Sequence, residues 1–410
     1  MKIKLPFLLD GAVGSNLIAA GMETGQEPAD FILKNPDVMK NLTLSYINAG
    51  SNAVLTPTFG VNPHKFGDDC EKLNKELIKI TKEAVFESGK NVLIASDISP
   101  CGLFMEPMGS ASFDEMYDAF ARQIRVFEGE GIDLLSFMTM YSLSEARIAL
   151  LACRELSEKP VFASMTVNSQ GKTMTGSDIC ASVYLLGSMG ATAVGINCST
   201  GPDDMLPHIQ RAFEIAETPI YCKPNAGNDA SNYLSPSVFA EKMRSLLSAG
   251  ASIVGGCCGT DPRFIEEIGK ILPDFDEKPY TDAIEKRKEY KKANSITSVA
   301  TEKSLYDFSG EISLCPIMDA DTFADEFYDF DPDEYNAAHV AVETEADAKT
   351  LLSTCTMSDI PICVSCGDKT VLFDLARTYC GTLIVHENCG LDEAEKALLT
   401  EKYGAITDLN

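Results

Sequence analysis

The sequence predicts an α/β fold: a (β/α)8 TIM barrel followed by a small C-terminal α/β domain. Three observations carry that expectation. Short apolar runs recur eight times between residues 6 and 259. Stretches with apolar residues at three- and four-residue spacing lie between them. Polar and sulfur-bearing residues gather where the apolar runs end, which is where a barrel of this kind builds its active site.

The eight runs are "PFLLDG" (6–11), "NAVLTPTFG" (52–60), "NVLIASDIS" (91–99), "IDLLSFMTM" (132–140), "PVFASMTVN" (160–168), "ATAVGINCS" (191–199), "PIYCKPNAG" (219–227) and "ASIVGGCCG" (251–259). Their near-continuous apolar character is that of parallel strands covered on both faces. The segments 70–89 and 112–131 read as helices, each closing on a glycine, and Ser112 with Glu115 forms a capping-box pattern. The segment 235–250 has a proline in its first turn and a glycine at its end. An open doubly wound sheet is the alternative, but the first strand–helix turn, "DGAVGSN", lacks the full dinucleotide fingerprint.

Residues 1–273 are thus expected to form the barrel. Residues 274–303, rich in Lys and Glu, read as a charged linker containing a helix. Residues 304–410 read as a small acidic α/β domain with the runs "HVAVET", "IPICVSC" and "GTLIVHEN".

Charge and composition narrow the function. A net charge of −27 opposes binding to nucleic acid or to an anionic membrane. No apolar run approaches the ~20 residues that span a bilayer. The N-terminal apolar stretch is broken by Pro6 and Asp10, too short for a signal peptide, and reads as a first strand. The expectation is a cytoplasmic protein whose 14 cysteines are reduced core residues, metal ligands or nucleophiles.

The sulfur-bearing strand ends define a candidate site. Cys198 ends the sixth run, and Cys257 and Cys258 end the eighth. These strands lie close together around a barrel, so the three thiols can converge. Successive strand side chains point to opposite faces, so adjacent cysteines share a target only where the backbone bends. Gly255, Gly256 and Gly259 are read as permitting that bend. Three thiolates at one point require a cation, and Zn2+ suits them, with a fourth position left open for a thiol substrate. Asp10, Gly11, Ala12, Thr58 and Asn225 lie at the same strand ends.

The motifs "LLDGAVGS", "TPTFG", "GINCSTGP", "KPNAG" and "VGGCCGT" occur in that order. Together they resemble the homocysteine S-methyltransferase family over about residues 5–273, and in particular its cobalamin-dependent branch. The resemblance implies a zinc barrel with Cys198, Cys257 and Cys258 as ligands. It also implies that the Asp10–Gly14 loop, with Gly11 and Ala12, closes on the amino-acid end of the substrate. Asn225 sits between the ligand strands, so its side chain is a candidate fourth ligand when no substrate is bound. Family members place a glutamate for the homocysteine ammonium where this chain has Met138, and often an asparagine where it has Pro57. Homocysteine recognition must then be compensated from elsewhere, or the acceptor is a different thiol.

The resemblance implies a methyl donor carried on a separate methylcorrinoid protein, as methylcobalamin, because the C-terminal unit has no Asp-x-His-x-x-Gly pattern. A sulfonium donor (S-adenosylmethionine or S-methylmethionine) and a non-catalytic zinc- and thiol-binding barrel are the alternatives. Cys101, Cys153, Cys180 and Cys222 read as core residues, as does the single C-x-x-C at 363–366, since one pair alone cannot close a zinc site. His64, His208, His339 and His386 show no ligand spacing.

Overall fold

A computed structural model describes residues 3–105, 108–227 and 232–408. The eight apolar runs are eight parallel strands: β1 (Phe7–Leu8), β2 (Ala53–Leu55), β3 (Leu93–Ala95), β4 (Leu135–Met140), β5 (Val161–Met165), β6 (Ala193–Asn197), β7 (Ile220–Lys223) and β8 (Ala251–Val254). Among the described residues, β4 to β8 pair in sequence order and β8 pairs with β1, while β2 pairs with β3. Bridges Ala95–Leu134 and Ile98–Phe137 link the end of β3 to β4. Beside β2, the Asn52 amide donates to the Leu8 carbonyl at 2.7 Å. Every strand therefore contacts the next, and the eighth contacts the first.

The strands are apolar on both faces because each face meets a different apolar layer. Phe7, Leu55, Ala95, Leu134, Phe162, Ala193, Tyr221 and Ile253 pack together in one buried cluster. Their neighbours Leu8, Val54, Ile94, Leu135, Val161, Val194, Ile220 and Val254 pack into a second, larger one that also takes up the helices. A two-residue alternation inside a fully apolar run is what this requires.

The connecting helices follow their local signals. The helix Phe113–Gly129 starts at Ser112, whose Oγ accepts the Glu115 amide, while Glu115 Oε2 accepts the Ser112 amide at 2.8 Å. The helix Cys70–Ser88 stops at Gly89 in the left-handed region. The helix Pro236–Ser248 is capped by Ser235.

The stretch read as a linker is largely built into the fold. Its helix, Glu277–Ala293, sends Tyr280 and Ile284 into the cluster containing Phe7 and Tyr221, and the Tyr280 hydroxyl accepts the Ile220 amide at 2.8 Å. The chain then forms an antiparallel hairpin from β9 (Ile296–Ala300) and β10 (Leu305–Ser309). Beyond it, β11 (Met318–Asp319), β12 (Ala338–Ala341), β13 (Ile362–Ser365) and β14 (Ile384–Val385) form a parallel sheet in that order. Leu372, Leu375 and Leu383 share the large cluster with Leu143 and Leu150, so one apolar core runs through both parts.

A buried cation fastens the two parts together. Arg147, in the helix Leu143–Leu156, is 1% exposed. Its guanidinium donates to the carbonyls of Arg377 at 2.6 Å and Ala376 at 2.7 Å, at the end of the helix Lys369–Thr378. A helix leaves its last carbonyls without internal partners, and a cation there also meets the negative end of the helix dipole. Burial pulls the Arg147 pKa down to about 10, so it stays charged at neutral pH. Replacing Arg147 with alanine is expected to destabilise the protein by about 2–4 kcal/mol, because two charge-assisted bonds are lost together. Urea unfolding monitored alongside proteolysis of residues 304–408 checks this.

Candidate metal and thiol site

The three cysteines meet at the strand ends. Their sulfurs lie within 4.8 Å of one another, and they are the one such metal-capable cluster among the described residues. Cys198 Sγ and Cys258 Sγ are 3.9 Å apart. Backbone bonds between the loops hold this arrangement. The Cys198 amide donates to the Lys223 carbonyl (2.9 Å), Cys257 to Pro224 (2.8 Å), Ala226 to Cys258 (2.8 Å) and Gly256 to Asp10 (3.1 Å). The loops after β6, β7, β8 and β1 thus form one hydrogen-bonded rim.

The glycines act differently from the sequence expectation. Of the three, Gly259 alone has a positive φ, at +80°. Gly255 and Gly256 are needed for close approach: a Cβ would lie 2.8 Å from the Asp10 carbonyl oxygen at the first and 2.4 Å from Thr260 Oγ1 at the second. A separate sharp turn follows β6 at Cys198 and Ser199, at φ +61° and +65°, a region costly for residues with a Cβ. Thr139 shares that strain at φ +60°. Asn197 braces it: its Oδ1 accepts the Thr139 amide at 2.7 Å, and its Nδ2 donates to Thr139 Oγ1 at 2.8 Å and to Cys257 Sγ at 3.9 Å. Asn197 was missed in the sequence, although it adjoins Cys198.

The thiols share their protons unequally. Hydrogen bonds from Cys257 and Cys258, then from the Ser199 amide and the Asn225 side chain, lower the Cys198 pKa to about 3 against the effect of burial. Cys257 and Cys258 are raised, chiefly through their interactions with Cys198. One thiolate solvated by two thiols is the metal-free counterpart of a site that prefers a cation. Asn225 Oδ1 is buried without a hydrogen-bond partner. The Asn225 amide meets Cys198 through its nitrogen, and its unpartnered oxygen needs only an amide flip to serve as a fourth metal ligand.

The other expected site residues surround this centre in different states. Gly11 is pressed against Tyr46, whose hydroxyl would lie 2.7 Å from an added Cβ. Ala12 is bonded internally, its amide to Thr260 Oγ1 and its carbonyl to the Tyr46 hydroxyl. Thr58 Oγ1 donates to the Asp97 carbonyl at 2.9 Å. Met138 Sδ accepts from the Tyr221 hydroxyl at 3.3 Å in the interior cluster. The C-x-x-C cysteines, Cys363 and Cys366, are buried, and His339 stacks on His386 with ring centroids 4.6 Å apart.

Two charged residues were not read as site members. Lys223 Nζ pairs with Asp10 Oδ1 at 2.9 Å, both side chains at most 3% exposed, and Asp10 Oδ2 accepts the Leu55 amide at 2.8 Å. Asp97 lies close enough to feel both; burial raises its pKa to about 7, Lys223 opposes that and Asp10 adds to it. "KPNAG" displayed the lysine, but its aspartate partner is 213 positions away.

Comparison with known proteins follows this geometry. Residues 7–272 match the family described as homocysteine S-methyltransferase. A methionine synthase of Mycobacterium tuberculosis is 30% identical over 289 residues, covering 64% of this chain and 24% of that protein. The Mycobacterium leprae methionine synthase is 29% identical over 290 residues, with the same coverage. The chain therefore spans about a quarter of the length of these relatives. Structures of the homocysteine methyltransferase MmuM from Escherichia coli superpose with TM-scores of 0.52 for the apo form and 0.55 for the metallated form. They are 21% identical and cover 64% of this chain and 95% of MmuM. The chain belongs to the homocysteine S-methyltransferase family, a family of methyltransferases.

Lys223→Met is expected to destabilise the protein by about 3–5 kcal/mol, since it leaves Asp10 buried without its cation. Adding Asp10→Asn should recover most of that loss in a double-mutant thermal-unfolding cycle. Asp97 has a folded pKa above its unfolded value, so its contribution is fully present below about pH 4 and is lost as pH rises through about 7. Asp97→Asn is expected to flatten stability against pH across that window, as measured by Tm.

Proposed function

We propose that residues 1–273 form a closed (β/α)8 barrel and that Cys198, Cys257 and Cys258 hold a catalytic zinc ion for methyl transfer to the thiol of homocysteine. The convergence of three sulfurs within 4.8 Å from loops of two strands carries this reading. The contact of each strand with the next and of β8 with β1 supports the closed barrel. Residues 274–303 are then a connecting helix and strand, and 304–410 a small α/β domain fused to the barrel's flank.

A zinc ion held by Cys198, Cys257 and Cys258 would lower the pKa of an acceptor thiol and so supply a nucleophilic thiolate at neutral pH. The chain's own residues prepare that position. The inter-loop hydrogen bonds fix the three sulfurs before substrate arrives. Asn225 Oδ1, buried without a hydrogen-bond partner, would be available to the ion as a fourth ligand in the absence of an acceptor. The Asp10–Lys223 pair beneath stiffens the β1 loop against β7.

The donor in this reading is a methyl group on a cobalamin carried by a separate protein, supported by the similarity to methionine synthases. No helix among the described residues is long and apolar enough to cross a membrane.

Purified protein is expected to contain about one zinc per chain, and serine at any of Cys198, Cys257 or Cys258 to abolish that content, as read by elemental analysis. With homocysteine and methylcobalamin, or a methylcorrinoid protein, methionine should form at rates the serine variants do not reach. Full zinc content in the serine variants, or methionine only from sulfonium donors, overturns the respective part of this reading.

A further inference from the structure

The interior below the three cysteines holds two carboxylates and one ammonium, and their bonding is uneven. Asp10 is fully engaged, with Lys223 on one oxygen and the Leu55 amide on the other. Asp97 is 8% exposed, and its Oδ1 is enclosed without any hydrogen-bond donor. Its backbone is pinned on both sides: the amide donates to Thr56 Oγ1 at 3.2 Å and the carbonyl accepts from Thr58 Oγ1 at 2.9 Å. The backbone of Asp97 is therefore fixed at the end of β3.

A buried carboxylate oxygen with no donor is costly, and the nearby lysine is committed to Asp10. Two carboxylates and one lysine leave room for one more positive charge. The neighbouring strand does not compensate: the Met138 amide bonds to the Ile98 carbonyl at 2.8 Å, and its thioether takes the Tyr221 hydroxyl. The Tyr221 hydroxyl, whose pKa burial holds high, lies in the fields of Cys257, Asp10 and Asp97, so the carboxylate and the sulfur centre share one interior.

We propose that Asp97 receives the ammonium group of the acceptor thiol, supplying from β3 the carboxylate that position 138 lacks. This rests on the thiol-acceptor reading above. The substrate class is then an amino thiol whose sulfur reaches the cysteine cluster while its ammonium reaches Asp97. Such a ligand satisfies the orphaned oxygen and neutralises the interior.

The test is calorimetric titration of the zinc-loaded protein with L-homocysteine and with 4-mercaptobutanoate, which keeps the thiol, chain and carboxylate but lacks the amine. Wild type is expected to bind homocysteine at least about tenfold more tightly, the scale of one charge-assisted hydrogen bond. Asp97→Asn should erase the difference to within about threefold while leaving the amine-free thiol's affinity unchanged. Met138→Glu added to Asp97→Asn should restore it. Equal binding of the two thiols by wild type, discrimination that survives Asp97→Asn, or failure of homocysteine to bind overturns the proposal. The wild-type comparison decides even if Asp97→Asn does not fold. Discrimination that persists without methyl transfer from any donor supports Asp97's role and removes only the catalytic reading.

Discussion

Three sulfur atoms held within 4.8 Å of one another cannot all carry charge unaided. That constraint organises the upper end of the strands. The loops after β6, β7, β8 and β1 must be bonded to one another before any ion or substrate arrives, because loose loops would let the sulfurs drift apart. Their backbone groups do this directly, through Lys223, Pro224, Cys258 and Asp10. The strained turn at Cys198 and Ser199 follows from the same demand. Asn197, reaching both Thr139 and Cys257, spreads that strain over two strands.

The interior beneath is a second polar layer in a mostly apolar stack. Phe7, Phe162 and Ile253 fill the lower level, and Asp10, Asp97, Lys223 and Tyr221 stand above them. Charges at this depth persist only where each finds a partner. Asp10 and Lys223 do so within the chain. The apolar floor keeps water from masking the remaining imbalance, so a change of residue charge here bears directly on stability.

Much of the architecture was legible because it is written locally. The strands show as apolar runs since both faces are buried, and the helix starts at Ser112 and Ser235 show as caps. The cysteine trio was legible because glycines frame it and because its strands, β6 and β8, flank β7. Gly255 and Gly256 were correctly singled out but for the wrong reason, since crowding by Asp10 and Thr260, rather than backbone bending, demands them. Lys223, Asp97, Asn197 and Arg147 were not legible. Each draws its meaning from a partner far away in the chain, and no local pattern announces such a pairing. The helix in 274–303 was legible but its anchoring was not, for a similar reason: Tyr280 and Ile284 are sparse apolar residues in a charged helix, yet both are buried.

The family match stops at residue 272, but the apolar core does not. Arg147 lies well inside the matched region, and the carbonyls that solvate its charge belong to residues beyond it. Ancestry and folding therefore draw their borders in different places. A chain cut at the evolutionary seam would leave a guanidinium stranded on a raw apolar face, so the later segment is a structural organ of the earlier one and not a passenger.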